Sequence, residues 1–495
     1  MGNILSDENR TRILATITPS KSEILAQQEL IKKLTHTLEQ QAMVQGRIYS
    51  FIEAQGSTGE KQTQLRDAAD IDLFVGLRPD DYSETLSLPA TERHRALDVT
   101  LDDIVEKWFI PAVQDLDVHD VQKTFSQHPY LSLKMDGLDI DILCCFDTSQ
   151  AGIMSKGPIT AVDRTVHHSR YIANSLTKRM REDVRLLKSF VHASHAYGDT
   201  CAVGRIGFTG YALELLVVAS GSLDGALEAL VALDQAPHDP LNRSLEQLKK
   251  IPAFRDDIIF IIDPVDTGRN VASGFAPRAY SWLKKRIQEL RSAERAGNHK
   301  VIMDAFLETP IPTGNLPDWL APHALAYEFT SDGSVHYTVL RDKLYRLARK
   351  VAFQLKRERT GEPRFGNILI EVYFENATFS IGFLVESPAA GKLYERRGPP
   401  AELSEEAKAF RRTHKEVSER DGFLWTIEKR EWTNAFALAD NILGRSSIEG
   451  LTRCSDRGMV SDRVLNALYL YAVPAEGVLL DQWQGFKEQG TKYAK

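Results

Sequence analysis

Two aspartates, Asp70 and Asp72, stand two residues apart within the apolar run Ile71, Leu73, Phe74 and Val75. On a β-strand, side chains two apart leave from one face, so both carboxylates point the same way while Ile71 and Leu73 turn into a core. Like charges placed side by side resist ionisation unless they share a cation. Upstream lies Gly56-Ser57. A glycine lets the backbone approach phosphate oxygens, and a serine hydroxyl can reach one. A phosphate-binding turn followed by paired acids suits nucleotidyl transfer, in which paired metal ions activate an attacking oxygen and steady the leaving phosphate. A third acid would help to deprotonate the attacking hydroxyl. GLDIDILCCF (137–146) offers Asp139 and Asp141 on one strand face, and alternation alone does not choose between them.

Several elements must position these groups. RIYSFIEAQ (47–55) predicts a strand running into the Gly-Ser turn, and HPYLSLKMDGLDIDILCCF (128–146) predicts a hairpin turning at Asp136-Gly137. Ser20-Lys21-Ser22-Glu23 has the form of a capping box, opening a helix with Ile24, Ile31, Leu34 and Leu38 on one face. Residues 81–109 predict mostly helix, so the first part of the chain is a mixed α+β domain around a small sheet. From Asp163 the pattern turns helical over 183–198, 209–221 and 277–297, with IIFIIDPVD (258–266) predicting a short buried strand and a turn. The Pro-rich stretch 308–323 predicts a linker. Beyond it come an amphipathic helix at 341–359, a hairpin at 367–387 turning near Glu375-Asn376, and a further basic stretch at 395–415.

A chain of 495 residues exceeds one core and predicts about three domains. Its net charge of −7 gives no global basic signal, so any nucleic-acid contact must use local patches. Helix 341–359 is such a patch, with Arg341, Lys343, Arg346, Arg349, Lys350, Lys356, Arg357 and Arg359 against Asp342 and Glu358. The cysteines Cys144, Cys145, Cys201 and Cys454 lack CxxC spacing, and the adjacent Cys144 and Cys145 in an apolar strand predict buried thiols in a reducing cytosol. No apolar run reaches membrane-spanning length, so no membrane partner and a cytoplasmic location are expected.

Gly-Ser followed by Asp-x-Asp resembles the hallmark of the polymerase-beta-like nucleotidyltransferase superfamily. Four further blocks occur in order: AVDRTVHH (161–168), VRLLKSF (184–190), GFTGYALELL (207–216) and DPVDTGRNVA (263–272). Together they resemble the archaeal-type (class I) CCA-adding tRNA nucleotidyltransferases, and the RRGPP stretch extends the likeness loosely into the C-terminal third. The resemblance implies an α+β multidomain fold. Residues 1–158 would be the catalytic head, 159–300 a helical neck completing the nucleotide pocket, and 301–495 a C-terminal α+β region that grips tRNA. The implied reaction is stepwise, template-independent transfer of CMP, CMP and AMP from CTP and ATP to the tRNA 3′ end, with release of pyrophosphate.

Residue by residue, the resemblance puts Asp70, Asp72 and Asp141 at the catalytic positions that hold two Mg²⁺ ions. Gly56 and Ser57 match the triphosphate turn, and His167, Lys188 and Tyr197 match nucleotide-contacting positions. Arg269 matches the arginine that helps to read the incoming base. Two features depart from the family pattern. Glu60 stands three residues after the serine, where an arginine is usual; the loop is one residue longer, so Lys61 takes that place with a point charge instead of a bidentate fork. The spacing around the histidine pair also differs, which leaves the choice between His167 and His168 open. Arg346, Arg349, Lys350, Arg396 and Arg397 are the expected RNA-binding residues, through phosphate contacts. The sequence leaves a homodimer undecided. A second reading, an oligonucleotide or second-messenger synthase of the oligoadenylate-synthetase type, shares the catalytic core but does not need a long basic C-terminal region.

Overall fold

The computed structural model describes residues 3–66, 70–125, 128–402 and 404–484. The chain divides into two compact units. The first comprises 1–198, 208–275 and 283–309, and the second comprises 199–207, 276–282 and 310–495.

In the first unit five strands form one mixed sheet: β1 (Phe51–Gln55), β2 (Ile71–Leu77), β3 (His119–Phe125), β4 (Pro129–Met135) and β5 (Leu138–Phe146). Their order is β1-β2-β5-β4-β3. β2 and β5 run parallel and the other pairs antiparallel. Period-2 alternation sends Ile71, Leu73, Val75, Ile140 and Ile142 into a core shared with Leu30, Leu34 and Leu38 of helix Lys21–Gln45. That helix opens on the expected capping box, with the Ser20 side chain and Glu23 each satisfying the other's backbone N–H. The hairpin turns on Asp136 (φ 52°) and Gly137 (φ 78°), the two left-handed residues of a type I′ turn.

Helices Arg164–Ser175, Lys178–Ala193, Gly210–Ser220 and Leu223–Ala232 complete the larger part of this unit. Among the described residues no single helix is long and apolar enough to cross a membrane; the apolar pair Gly210–Ser220 and Leu223–Ala232 is bent by 111°. The strand expected at 258–266 does not form. Ile261 and Ile262 make only isolated bridges, to His238 and Asn270. Pro264 interrupts the run, and the Asn270 side chain accepts the Ile261 and Ala272 N–H groups in place of a neighbouring strand.

The second unit holds a four-stranded antiparallel sheet. Its strands are β6 (Ala324–Ser331), β7 (Ile368–Glu375), β8 (Thr378–Val385) and, after three others, β12 (Leu451–Arg453), in the order β12-β6-β8-β7. Alternation again divides the faces. Leu325, Tyr327 and Phe329 pack with helices Tyr337–Lys356 and Ala435–Gly444, while Ala324 and Ala326 pack with Val464, Leu465 and Leu468. β9 (Leu393–Pro400), β10 (Val417–Arg420) and β11 (Phe423–Lys429) make a separate three-stranded sheet covered by helix Ser404–Thr413. The stretch expected as a linker is not a solvated spacer: Ile311, Leu316 and Leu320 are buried in the second unit.

Glu371 on β7 is fully buried in this unit. Its carboxylate accepts from Arg278 (2.7 Å), the Gly204 N–H (2.8 Å), the Val372 N–H (3.0 Å) and the Tyr345 hydroxyl. Replacing it removes one of the two carboxylates that pair with Arg278, Glu476 being the other, and leaves the Gly204 and Val372 N–H groups without their acceptor. Glu371→Ala is therefore expected to lower the unfolding free energy of the C-terminal unit by about 2–3 kcal/mol. Urea denaturation followed by tryptophan fluorescence measures this, and a change within about 1 kcal/mol contradicts it.

Candidate active site

The parallel pairing of β2 with β5 sets Asp72 beside Asp141 in register. Asp70 immediately precedes β2 and is the most open of the three. All three carboxyls are raised above the ordinary carboxylate range. For Asp72, burial comes first, then the charges of Asp70 and Asp141, which together push it up to about 7. Asp141 is raised by burial and by Asp70 and Asp139, against a hydrogen bond from Ser132. Asp70 is raised by the protein packed around it and by Asp139, while Lys188 and Lys61 pull it down. Asp139 is exposed and sits 3.4 Å from the Lys134 ammonium. Among the described residues no three acidic, histidine or cysteine side chains close into a preformed metal cage. Three mutually repelling carboxylates on adjoining strands nevertheless fit a divalent cation, since oxygen donors are what Mg²⁺ requires and its charge removes the repulsion.

The Gly56-Ser57 turn lies against these acids. Gly56 has φ +67°, and a Cβ there would stand 2.4 Å from Asp72 Oδ2, so glycine is required twice over. Gly59 is equally constrained, because a Cβ would meet the Ala54 carbonyl oxygen at 2.5 Å. The Thr58 hydroxyl donates to the Asp70 carbonyl at 2.8 Å and ties the loop to the start of β2.

Helix Lys178–Ala193 supports the loop from the other side. Arg181, Arg185 and Lys188 share one helical face, and they donate to the carbonyls of Lys61 (3.1 Å), Gln62 (2.5 Å) and Gln64 (3.1 Å), and Thr63 (3.3 Å). The ammonium groups of Lys61 and Lys188 both end on Glu214, at 2.9 and 2.8 Å. Glu214 lies in the middle of helix Gly210–Ser220 and is fully buried. Tyr197 stacks on His192 at 3.7 Å between ring centroids, and its hydroxyl and Lys188 both crowd Gly210.

A cavity of about 800 Å³ opens between Asp141 and these groups, lined among others by Lys61, His168, Tyr211 and Arg269. His168, not His167, faces it. His167 Nε2 is turned to the Thr148 carbonyl at 2.8 Å, because adjacent helical residues point about 100° apart. Asp263 organises the wall. It accepts from His168 Nε2 (2.7 Å), the Tyr211 hydroxyl (2.9 Å), Arg269 Nη1 (3.0 Å) and the Val265 N–H (2.9 Å). The His168 ring stacks on Tyr211 at 4.1 Å. Burial alone would raise the Asp263 carboxyl, but His168, the Val265 N–H and Arg269 outweigh it and hold it at about 2. Burial keeps His168 below the usual histidine range, so the ring is neutral and donates from Nε2.

In the second unit the basic helix is less open than its composition implies. Arg341 is buried and bound to Asp342 and the Asp199 carbonyl, Arg357 donates to the Gly361 carbonyl, and Arg359 lies 3.5 Å from Glu431. Arg346, Arg349 and Lys350 are exposed. Lys350 lines a cavity of about 530 Å³ with the exposed Phe353 and with Arg445. Arg396 on β9 pairs with Glu428 at 2.6 Å, and the Arg397 guanidinium stacks 3.5 Å above the Phe423 ring.

A family model described as tRNA nucleotidyltransferase, second domain, matches residues 182–297. The CCA-adding enzyme of Methanothermobacter thermautotrophicus is 32% identical over 265 residues, which span 53% of this chain and 52% of that protein. The CCA-adding enzyme of Saccharolobus shibatae is 28% identical over 389 residues, 78% of this chain and 82% of that one. Residues 182–297 thus match the second domain of the tRNA nucleotidyltransferases, and the chain is similar to archaeal CCA-adding enzymes. Against the first of these relatives the match spans about half of the relative's length. Among solved structures, E. coli MS115-1 CdnC with ATP aligns with a TM-score of 0.44 at 16% identity, covering 61% of this chain and 98% of that one.

Glu214, Asp263, Tyr211 and Thr63 are the site's unanticipated members. A lone acid in the apolar run ALELLVV and the first acid of DPVD were the available signals, since a charge buried in such runs needs a partner. Asp263→Asn exchanges an acceptor of four donors for a side chain with one acceptor oxygen, freeing Arg269 from its anchor. At neutral pH the melting temperature of this variant is expected to fall below that of the wild type, because His168, Tyr211 and Arg269 lose their ionised acceptor. The acid limb of stability is also expected to change. A carboxyl depressed in the folded state stabilises above its unfolded value near 3.8, and that contribution is lost as pH falls towards 2. The melting temperature of Asp263→Asn is therefore expected to drop less than that of the wild type between pH 5 and pH 3.

Proposed function

We propose that this protein is a template-independent CCA-adding tRNA nucleotidyltransferase, transferring CMP, CMP and AMP from CTP and ATP to the tRNA 3′ end. The observation that carries the reading is the convergence of Asp70, Asp72 and Asp141 with the Gly56 turn beside a nucleotide-sized cavity. The curated relatives named CCA-adding enzymes support the choice of substrate.

The 3′-hydroxyl oxygen forms a bond to the α-phosphorus while the bond to the pyrophosphate oxygen breaks. Asp141, in register beside Asp72, receives the hydroxyl proton. Divalent metal ions, two Mg²⁺ held by Asp70, Asp72 and Asp141, would supply charge stabilisation to the attacking and leaving oxygens. Ser57 and Lys61 bind the triphosphate, with Lys188 beside them. His168 and Tyr211 form a stacked wall, and Arg269, fixed by Asp263, presents a planar set of donors to the base. A site that accepts both C and A must select by hydrogen bonds, because pocket size alone would exclude one of them.

Residues 1–158 serve as head, 159–300 as neck and 301–495 as the tRNA-gripping region, in which Arg346, Arg349, Lys350, Arg396 and Arg397 contact phosphates. Recognition by shape and backbone suits an enzyme that acts on every tRNA. We place the protein in the cytoplasm and leave its oligomeric state to measurement.

The test incubates purified protein with tRNA transcripts ending before CCA and each labelled nucleotide separately. C is expected to add twice and A only after both. ATP polymerised without tRNA would favour the oligonucleotide-synthase reading instead. Asp141→Asn is expected to abolish addition and Asp139→Asn to spare it; the reverse outcome displaces the third acid by two residues.

A further inference from the structure

We propose that Glu214 is a positioning residue of the phosphate subsite, holding Lys61 ready for transfer to an incoming triphosphate. This rests on the nucleotide-binding reading of the cavity. The two oxygens of Glu214 have different partners. Oε2 accepts from Lys61 at 2.9 Å, whereas Oε1 accepts from Lys188 at 2.8 Å and from the Thr63 hydroxyl at 2.7 Å.

The donor count separates the two lysines. An ammonium carries three N–H groups. Lys188 directs its own to Glu214 Oε1, to Thr63 Oγ1 at 3.0 Å and to the Thr63 carbonyl at 3.3 Å. For Lys61, among the described residues, Glu214 is the acceptor, which leaves donors for a ligand. Lys61 also lines the cavity that holds Asp141 and Arg269. When Lys61 turns to a phosphate, Glu214 keeps Lys188 and Thr63 and is not left as an uncompensated buried charge. Both lysines are buried, but Lys188 lacks that freedom: its donors are all engaged, and Gly210 closes on it so tightly that a Cβ there would lie 3.2 Å from Lys188 Cε.

The charges point the same way. Two cations against one carboxylate leave an excess positive charge beside the cavity, which favours a triphosphate. Burial alone would raise the Glu214 carboxyl, but Lys188 and Lys61 hold it at about 2, so it stays ionised throughout the working range. Without the carboxylate, two buried ammonium groups would face each other and the Lys61 side chain would lose its fixed direction.

The test measures binding of CTP and of ATP to the full-length protein without tRNA, so failure of tRNA addition cannot mimic failure of this proposal. Glu214→Gln is expected to weaken both nucleotides equally, by at least about tenfold, the loss of one charge-assisted contact. Glu214→Asp, which keeps the charge, is expected to recover part of that loss, with melting temperatures recorded alongside. Unchanged affinity in Glu214→Gln assigns the residue to stability alone, and tighter binding makes it a mere competitor for Lys61; either overturns the proposal, as does equal loss in both variants. Should Glu214→Gln not fold, Lys61→Met gives the second reading. Its Glu214 remains compensated, so it is expected to fold and show the same loss for both nucleotides, and unchanged affinity overturns the proposal.

Discussion

Repulsion among three carboxylates is the constraint on which the site depends. Parallel pairing of β2 and β5 leaves Asp72 beside Asp141, and Asp70 stands one step before the strand. Water would screen such charges, but here burial raises all three, and neighbouring carboxylates add to it: Asp70 and Asp141 at Asp72, Asp70 and Asp139 at Asp141, and Asp139 at Asp70. The sheet can hold them because its other face is a continuous apolar core, in which Ile71, Leu73, Ile140 and Ile142 are fully buried. A one-residue slip of β5 would move Asp141 to the core face and Ile140 to the acids. The fold therefore fixes the acids by burying their neighbours.

Two buried carboxylates extend the same logic outward. Glu214 collects Lys61, Lys188 and Thr63, and Asp263 collects His168, Tyr211, Arg269 and a backbone N–H. Each is acceptable in the interior because its charge is matched by donors. Each also fixes cationic or aromatic side chains that face the cavity. In the proposed function one hub serves the phosphate end and the other the base end, so charges costly to bury become the means of orienting flexible side chains before a nucleotide arrives.

Much of the strand pattern was legible because a period of two leaves few alternatives. Asp70-Ile71-Asp72, the Asp136-Gly137 turn and the Ser20–Glu23 box all carry local chemistry that acts within a few residues. The two hubs are different. Nothing within several residues of Glu214 or Asp263 states which cations they meet, since their partners lie up to 153 residues away in the chain. The histidine pair shows the limit on a finer scale: only the packing of helix Arg164–Ser175 decides which ring enters the cavity. At 258–266 an apolar run resembled a strand, and the Asn270 side chain took the place of a partner strand. In helix Tyr337–Lys356, counting cations overstated the free charge because Arg341 is spent on internal carboxylate and carbonyl oxygens.

The most direct measurement is the thermal unfolding of the full-length chain at pH 8 in EDTA, comparing wild type with Asp72→Asn, and then the effect of adding Mg²⁺. A carboxyl raised in the folded state to about 7 costs stability above its unfolded value near 3.8, and the cost is complete above 7. The account predicts that Asp72→Asn melts higher than wild type in EDTA, and that Mg²⁺ raises the wild-type melt while leaving the variant nearly unchanged. A variant that melts lower in EDTA, together with a wild type indifferent to Mg²⁺, would make the acids structural and contradict the account.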